Sequence, residues 1–287
     1  MGICNFFAFL EGDKLQNGRL EYNFGHGFLS RNALKYFAVA CMTCDHIAVA
    51  FVNEEPMRTV LTFLGGLTMP IMSFFLAEGY VHTRNVKKYA ARLFIFALLS
   101  IFPFCYLSTG GRLPIEIVSG RVSSSAMSIP LSGGSLVIYR ANFLFTLLLS
   151  LINIIAWDKL KIPVPFKVII TAAVCWLSTG CDWGYWCVLI SFVFWKFRDN
   201  QVLKWALYSL VSLSCVFYFK AFQNPLLFYI TYSFRPVHLD LFLIIPLLAF
   251  CYNGEKGSGG KFGKWFFYIF YPAHLLIIDI VLVCLSG

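Results

Sequence analysis

Residues 34–52 read LKYFAVACMTCDHIAVAFV, an apolar stretch interrupted by Lys35 near its start and by Asp45 and His46 beyond its middle. A helix that crosses a bilayer needs roughly 20 predominantly apolar residues, because the hydrocarbon core is about 30 Å thick. A charged side chain in the middle of such a helix costs about 2.5–3.5 kcal/mol even on lenient scales. The stretch therefore predicts a transmembrane helix whose polar pair is retained for a reason.

Similar apolar blocks continue almost to the end of the 287-residue chain, which is 59% hydrophobic and only 13% charged. Soluble domains are about 25% charged. The candidate spans are 34–52, 60–81, 93–109, 141–157, 164–180, 183–197, 203–220, 239–252 and 265–284. A further apolar segment, 222–234, is too short to span and is either re-entrant, interfacial or part of a tenth helix. We expect an all-α, polytopic transmembrane helical bundle of about nine spans.

The positions of the cations predict the orientation of this bundle. With a cytoplasmic N-terminus, 17 of the 23 Lys and Arg residues fall in cytoplasmic segments, as the positive-inside rule requires. The expected organisation is an N-terminal cytoplasmic segment, 1–33, followed by a transmembrane domain, 34–285, with a Ser- and Gly-rich outer loop at 110–140. Loops of that length are usually functional or mobile. We expect a multi-pass protein of the cell membrane.

The net charge of +9 does not predict nucleic-acid binding, because the cations lie between apolar blocks and form no dense basic patch. The ten cysteines lie mostly inside apolar blocks, where they behave as small hydrophobic residues. Cys41 and Cys44 form a C-x-x-C pattern, but no second pair with metal-ligand spacing accompanies them. We expect neither a nucleic-acid partner nor a metal site.

The candidates for chemistry are five ionisable side chains of the predicted spans: Asp45, His46, Glu78, His274 and Asp279. At about 1.5 Å of rise per residue, His46 lies roughly 18 Å and His274 roughly 14 Å from the cytoplasmic face. Both predicted helices run outward, so the two imidazoles can meet near mid-depth if the helices pack together. Asp45 is rotated about 100° from His46 and should face another helix.

The cytoplasmic end of the second span carries a second group of candidates. Glu78 lies near that end, and His82 follows on the same face. The cations Arg84, Lys87, Lys88 and Arg92 come next. They are either topology signals that bind lipid headgroups or a docking site for a phosphorylated donor such as coenzyme A.

The residue chemistry leaves three functions open. The buried Asp, Glu and His groups are typical of an active site, of a proton relay in a proton-coupled transporter, or of polar contacts that join helices in a scaffold. Secondary transporters commonly contain internal repeats, and this chain has no convincing one. No nucleophile elbow, metalloprotease motif or phosphate loop is present.

Several motifs of the chain resemble the TraX family. They are the run from Leu34 to Asp45-His46, Gly66 to Arg84 with Pro70 and Glu78-Gly79, Lys88-Tyr89, Arg92-Leu93, Ser100, Pro103-Phe104, Asn142 to Leu147, Asp182-Trp183-Gly184, Tyr252-Asn253-Gly254 and Phe267 to Leu275 with its Tyr-Pro-x-His pattern. The resemblance covers roughly 34–280. Residues 1–33 and the loop 110–140 depart from the pattern.

The resemblance implies N-terminal acetylation of pilin subunits, and more widely an acyltransferase that uses cytoplasmic acetyl-CoA as co-substrate. It implies His46 as the main catalytic residue, with Asp45, Glu78 and His274 beside it and a pilin or envelope component as the acceptor. Arg84, Lys88 and Arg92 would bind the donor. Two mechanisms remain open: His46 acts as a general base, or it carries the acetyl group as a transient acetyl-histidine.

Overall fold

The computed structural model describes residues 27–118, 126–131, 134–223, 238–257 and 262–286. Most of the predicted N-terminal segment, 1–33, and most of the predicted short segment, 222–234, lie outside these residues. The described part of the chain is mostly helical, as expected.

Ten helices of nine residues or more are described, together with one irregular helical segment. The helices are α1 (Arg31–Phe51), α2 (Met57–Gly66), α3 (Thr68–His82), α4 (Val86–Leu99), α5 (Ile101–Thr109), α6 (Phe143–Lys159), α7 (Val164–Ser178), α8 (Gly184–Lys196), α9 (Gln201–Gln223) and α10 (Phe262–Ser286). The irregular segment, Leu239–Cys251, combines 3-10, α and π turns.

Local sequence explains where several of these helices begin and end. The side chains of Ser30, Asn85 and Asn142 accept hydrogen bonds from backbone N–H groups in the first turns of α1, α4 and α6. These residue types are preferred at helix N-termini because they satisfy otherwise unpaired donors. Gly110 ends α5 in the left-handed conformation, with φ of 70°, which glycine adopts without steric cost.

Helix length does not support nine spans. Among the described residues, Arg31–Phe51, Met57–His82 and Trp265–Leu285 are long and apolar enough to cross a membrane, and the pair α4 and α5, bent by 47°, would make a fourth. Helix α7 has 15 residues and α8 has 13, or roughly 22 and 20 Å of rise. The apolar blocks in the sequence are longer than these helices, because turn residues at their ends are apolar too.

The all-α prediction is wrong for the loop 110–140, which contains a three-stranded antiparallel sheet. The strands are β1 (Ile115–Val118), β2 (Ala126–Leu131) and β3 (Gly134–Tyr139), in the order β1-β3-β2. Ile115 pairs with Ile138, and Ile117 pairs with Leu136. Short alternating runs rich in β-branched residues favour strands, and the Ser and Gly residues between them hid this pattern.

The helices run between two ends of the bundle, which differ in what they contain. At the first, called the basic end, Leu29 pairs with Tyr252, Arg31 contacts Glu78, and the Tyr80 hydroxyl donates to Asp158. At the second, called the sheet end, the backbone of Ala141 pairs with that of Cys181, next to the sheet. Helix α3 lies between them in the core and contacts α1, α6 and α8.

Candidate functional site

Helices α1 and α10 bring His46 and His274 into direct contact. His46 Nδ1 lies 2.8 Å from His274 Nε2, and the ring centroids are 5.0 Å apart with an interplanar angle of 23°. Both side chains are buried, with exposed fractions of 9% and 5%. The two imidazoles, separated by 228 residues in sequence, therefore form one group in the interior, called here the histidine pair.

The hydrogen-bond partners assign the tautomers of the histidine pair when both rings are neutral. His274 Nδ1 lies 2.8 Å from the Phe270 carbonyl oxygen. A carbonyl only accepts, so His274 Nδ1 carries the proton and His274 Nε2 is an acceptor. His46 Nδ1 must then donate to His274 Nε2. It follows that His46 Nε2 carries the lone pair of the histidine pair.

Aromatic rings hold His274 in this orientation. The Phe270 ring stacks on the imidazole, with centroids 4.9 Å apart, and the Tyr271 ring meets it edge-on at 5.6 Å. The Tyr271 hydroxyl accepts a hydrogen bond of 3.3 Å from the Phe143 backbone N–H at the start of α6. The last helix is therefore fixed to α6 one turn away from the histidine pair.

An apolar pocket lies between α1, α3, α6 and α10. Its lining includes Met42, four residues before His46, and Tyr271, three residues before His274. The pocket therefore lies about one helical turn from the histidine pair, on the side of the basic end. Its lining residues are Ala38, Val39, Met42, Thr68, Met72, Phe143, Leu144, Phe267 and Tyr271.

The structure does not bring Glu78 together with the histidine pair. Glu78 Oε1 lies 2.6 Å from Arg31 Nη2, and the Tyr252 hydroxyl donates to both carboxylate oxygens at 3.2 and 3.4 Å. Arg31 precedes His46 by 15 residues on α1, which is roughly 22 Å. Glu78 therefore joins α1, α3 and the segment around Tyr252 at the basic end.

Asp45 faces α2, as its rotation from His46 predicts. A Cβ atom built on Gly65 would overlap the Asp45 side chain, and one built on Gly66 would overlap the Asp240 carboxylate. Two consecutive glycines thus let two carboxylates approach the helix backbone closely. Asp45 also interacts electrostatically with Asp182 and Asp240. Asp45, Asp182 and Asp240 are called here the carboxylate cluster.

Asp182 lies in the connection between α7 and α8, outside both helices. Burial raises its pKa to about 6 from an ordinary 3.8, although the positive charge of Arg140 and the backbone N–H of Trp183 lower it. The Thr146 hydroxyl donates to the Asp182 carbonyl oxygen at 2.5 Å. This connection is therefore attached to α6 at the sheet end.

The predicted donor-binding cations have different surroundings at the basic end. Arg84 and Lys88 are exposed. Arg92 is half-buried, and its guanidinium lies 5.8 Å from the Tyr89 ring centroid and 5.7 Å from that of Tyr268. Arg84 and Lys88 are therefore free to bind an anion from solution, whereas Arg92 packs between α4 and α10.

The sequence reasoning missed Asp240, Asp182 and Arg31 as members of these sites. Asp240 lies inside the predicted span 239–252, so the rule that selected Asp45 applied equally to it. Asp182 and Arg31 lie outside the predicted spans, and their partners are distant in sequence. Among the residues that the structure describes, no three His, Cys, Asp or Glu side chains are arranged to hold a metal ion.

The comparisons with known proteins agree on one family. The family model described as "TraX protein" matches residues 30–282. A protein named "Probable fimbrial assembly protein FimC, serogroup H1" from Dichelobacter nodosus is 28% identical over 247 residues, which cover 85% of this chain and 92% of the relative. No solved structure matches the chain.

Proposed function

Because this chain belongs to the TraX family, we propose that it is a membrane-embedded acetyltransferase. It moves an acetyl group from cytoplasmic acetyl-CoA to an amine or hydroxyl acceptor, such as a pilin-like N-terminus or an envelope component. The observation that carries the proposal is the histidine pair, in which His274 leaves His46 Nε2 with the lone pair. The name of the relative from Dichelobacter nodosus, a fimbrial assembly protein, is consistent with a pilin acceptor.

In this proposal, the protein crosses the cell membrane several times, and its basic end and N-terminus lie in the cytoplasm. The excess of cations in the segments assigned to that side supports this orientation. Helices α6 and α7 run in opposite directions, since Lys167 near the start of α7 contacts Trp157 near the end of α6. About nine passes then require the shorter helices to span where the bilayer is thinned or where other helices cover them.

The donor enters at the basic end in this proposal. The exposed cations Arg84 and Lys88 bind the phosphates of acetyl-CoA, and Arg92 lies behind them. The pantetheine arm lies in the apolar pocket, whose lining reaches to within a turn of the histidine pair. The thioester is then presented to His46 from one side, and the acceptor reaches it from the sheet end.

As general base, His46 Nε2 takes a proton from the acceptor nitrogen or oxygen while that atom attacks the acetyl carbonyl. The new C–N or C–O bond forms, the C–S bond breaks, and the proton on His46 passes to the departing thiolate to give free coenzyme A. His274 holds the His46 ring through Nδ1, and Asp45 lies next to this centre. In the alternative sequence, His46 Nε2 attacks the thioester first, and the acceptor then takes the acetyl group from the ring.

The test is acetyl-CoA turnover by purified protein in detergent with free-amine and hydroxyl acceptors. We expect His46→Ala to lower the rate about 10²–10⁴-fold, the usual contribution of a positioned general base. His82→Ala is the matched control, because His82 is an exposed histidine at the end of α3. That variant should keep its activity.

Retained turnover in His46→Ala would remove His46 from the mechanism. Absence of turnover by the wild-type protein with every acceptor would contradict the enzyme itself. Uptake of a labelled solute by proteoliposomes without acetyl-CoA would then favour the transporter. Trapping of an acetyl group on His46 in acid-quenched samples would select the two-step route.

A further inference from the structure

Asp240 is a buried carboxylate that the proposed transfer does not use. Its exposed fraction is 2%, and its Oδ2 atom has no hydrogen-bond partner among the described residues. That atom points at Gly66, where even a Cβ atom would overlap it. A buried carboxylate oxygen without a partner is unfavourable, so a ligand that donates a hydrogen bond at this position would be stabilised by it.

The neighbours of Asp240 make this position more unusual. Asp45 packs against the preceding residue, Gly65, and interacts electrostatically with Asp240. Within the part of the chain that the structure describes, neither carboxylate forms an ion pair with Lys, Arg or His. Asp240 is buried and Asp45 is half-buried, and two such carboxylates that repel each other are stabilised when a cation comes between them.

The third carboxylate, Asp182, connects this position to the sheet end. The ring of Trp183, the residue after Asp182, lies 5.1 Å from that of His238, two residues before Asp240. Asp182 is half-buried, so the cluster extends from the interior towards the surface. The charge of Arg140 partly offsets that of Asp182, whereas no cation among the described residues does so for Asp45 or Asp240. The described groups do not form a metal site, so a cation with its own hydrogen-bond donors fits better than a metal ion.

We propose that the carboxylate cluster of Asp45, Asp182 and Asp240 binds a primary ammonium group. An ammonium has one positive charge and three N–H donors. One donor matches Asp240 Oδ2, which lacks a partner, and the charge matches the carboxylates of the cluster. Asp45 precedes His46 by one residue on α1 and is rotated about 100° from it, so an ammonium held between Asp45 and Asp240 lies at the depth of the histidine pair, on the side of α2. The inference rests on the proposed function in one respect: the bound ammonium is the reacting end of the acceptor.

The chemistry of transfer gives the carboxylates a second use. An ammonium nitrogen has no lone pair, so it must lose one proton before it can attack a thioester. A carboxylate of the cluster takes that proton and leaves a neutral amine with its lone pair. The nitrogen then loses its second proton to His46 Nε2 as the C–N bond forms. A hydroxyl acceptor needs neither the charge nor the first proton transfer.

The experiment measures binding without acetyl-CoA, so that it does not depend on catalysis. Butylammonium and 1-butanol, which share their carbon chain and differ in charge, are titrated into the purified protein in detergent at neutral pH by calorimetry. We expect wild type to bind butylammonium and to bind butanol at least tenfold more weakly. Asp240→Asn should weaken butylammonium binding at least tenfold and leave the affinity for butanol unchanged.

Asp279→Asn is the matched control. Asp279 is also a buried carboxylate in a helix with an unpartnered oxygen, but it is not coupled to the cluster. The Asp279→Asn variant should bind butylammonium as tightly as the wild type does. If Asp240→Asn does not fold, Asp45→Asn replaces it with the same expected loss.

Three results would overturn the ammonium site: no butylammonium binding by wild type, equal binding of the two probes, or an equal loss in Asp279→Asn. The two proposals fail separately. Butylammonium binding in a protein that transfers no acetyl group would retain the site and reject the acetyltransferase. Acetyl transfer that depends on His46, in a protein that binds both probes equally, would retain the acetyltransferase and reject the ammonium site.

Discussion

At the basic end, the carboxylate of Glu78 is held by the Arg31 guanidinium and the Tyr252 hydroxyl. Between the middle of the bundle and the sheet end, Asp45 and Asp240 pack against Gly65 and Gly66, and no cation among the described residues pairs with them. Both arrangements place carboxylates in an apolar bundle. The first is satisfied within the protein, so its role is to join helices. The second is left unsatisfied, and polar groups left in that state are the ones expected to meet a ligand.

The two ends also differ in what they offer to a charged molecule. The basic end exposes Arg84 and Lys88, which suit phosphates, and the sheet end has the carboxylate cluster, which suits a cation. The histidine pair lies between them. This arrangement is what a transfer between an anionic donor and a cationic acceptor requires, since each substrate is attracted to a different face.

The largest difference between the ends should come from their glycines. Gly66→Ala would place a Cβ atom where the buried Asp240 carboxylate lies. The free-energy cost of overpacking and the cost of displacing the carboxylate then add. We expect a loss of about 4 kcal/mol in the free energy of unfolding. At the basic end, the Cβ atom added by Gly79→Ala meets the end of the Tyr89 side chain, with the hydroxyl at 3.1 Å and ring atoms at 3.5 Å. That loss should stay below about 1 kcal/mol, because a side-chain end can move.

Unfolding of the two glycine variants in detergent, followed by circular dichroism against denaturant, measures both losses. Similar values for Gly66→Ala and Gly79→Ala would mean that the carboxylates at the sheet end move aside easily. The close packing against Gly66 would then be no constraint on a ligand site.

The second prediction concerns pH. Asp182 has a pKa of about 6 in the folded protein against 3.8 ordinarily, so the folded state keeps a proton that the unfolded state has lost between those values. Its carboxylate destabilises the protein above pH 6, by at most about 3 kcal/mol for a shift of two units, and this penalty disappears as the pH falls to 4. We expect Asp182→Asn to gain most over wild type at pH 7.5 and least at pH 4.

Asp199→Asn, an exposed aspartate beside Arg198, serves as the control for this series. Its stability difference from wild type should change little with pH. If the difference between Asp182→Asn and wild type were the same at pH 4 and pH 7.5, Asp182 would titrate normally and the sheet end would not hold a strained carboxylate.

Smaller losses are expected at the basic end. Glu78→Ala removes the partner of Arg31, but the two side chains are 14% and 26% exposed, so water compensates in part. We expect a loss of about 1–2 kcal/mol, and a further Arg31→Ala should cost little more. Tyr252→Phe should cost about 1 kcal/mol, the value of one hydrogen bond. Additive losses in this double-mutant cycle would show that Glu78 and Arg31 are not coupled.

The contact within the histidine pair could be predicted from the sequence, because the prediction depends only on the direction of the two helices and on the rise per residue. His46 and His274 lie at similar depths on helices that run the same way, and the helices pack together. The partner of Glu78 could not be predicted, because Tyr252 lies 174 residues away and no local rule selects it. The sheet was missed because its short strands lie among Ser and Gly residues. The helix breaks near Leu67 and Ser100 have Gly65-Gly66, Pro70 and Pro103 beside them, but membrane helices tolerate glycine and proline, so these residues alone did not predict a break.

The smallest effects should separate donor binding from acceptor binding. Arg84→Gln and Lys88→Gln remove exposed cations, and each should raise the KM for acetyl-CoA about 2–5-fold without changing kcat. The increase should shrink as salt screens the remaining charge. Arg92→Gln should mainly lower the melting temperature, since Arg92 packs on Tyr89 and Tyr268. None of the three should change the KM for an amine acceptor. An acceptor KM that rises with the donor KM would mean that both substrates enter at the basic end, and the division between the two ends would not hold.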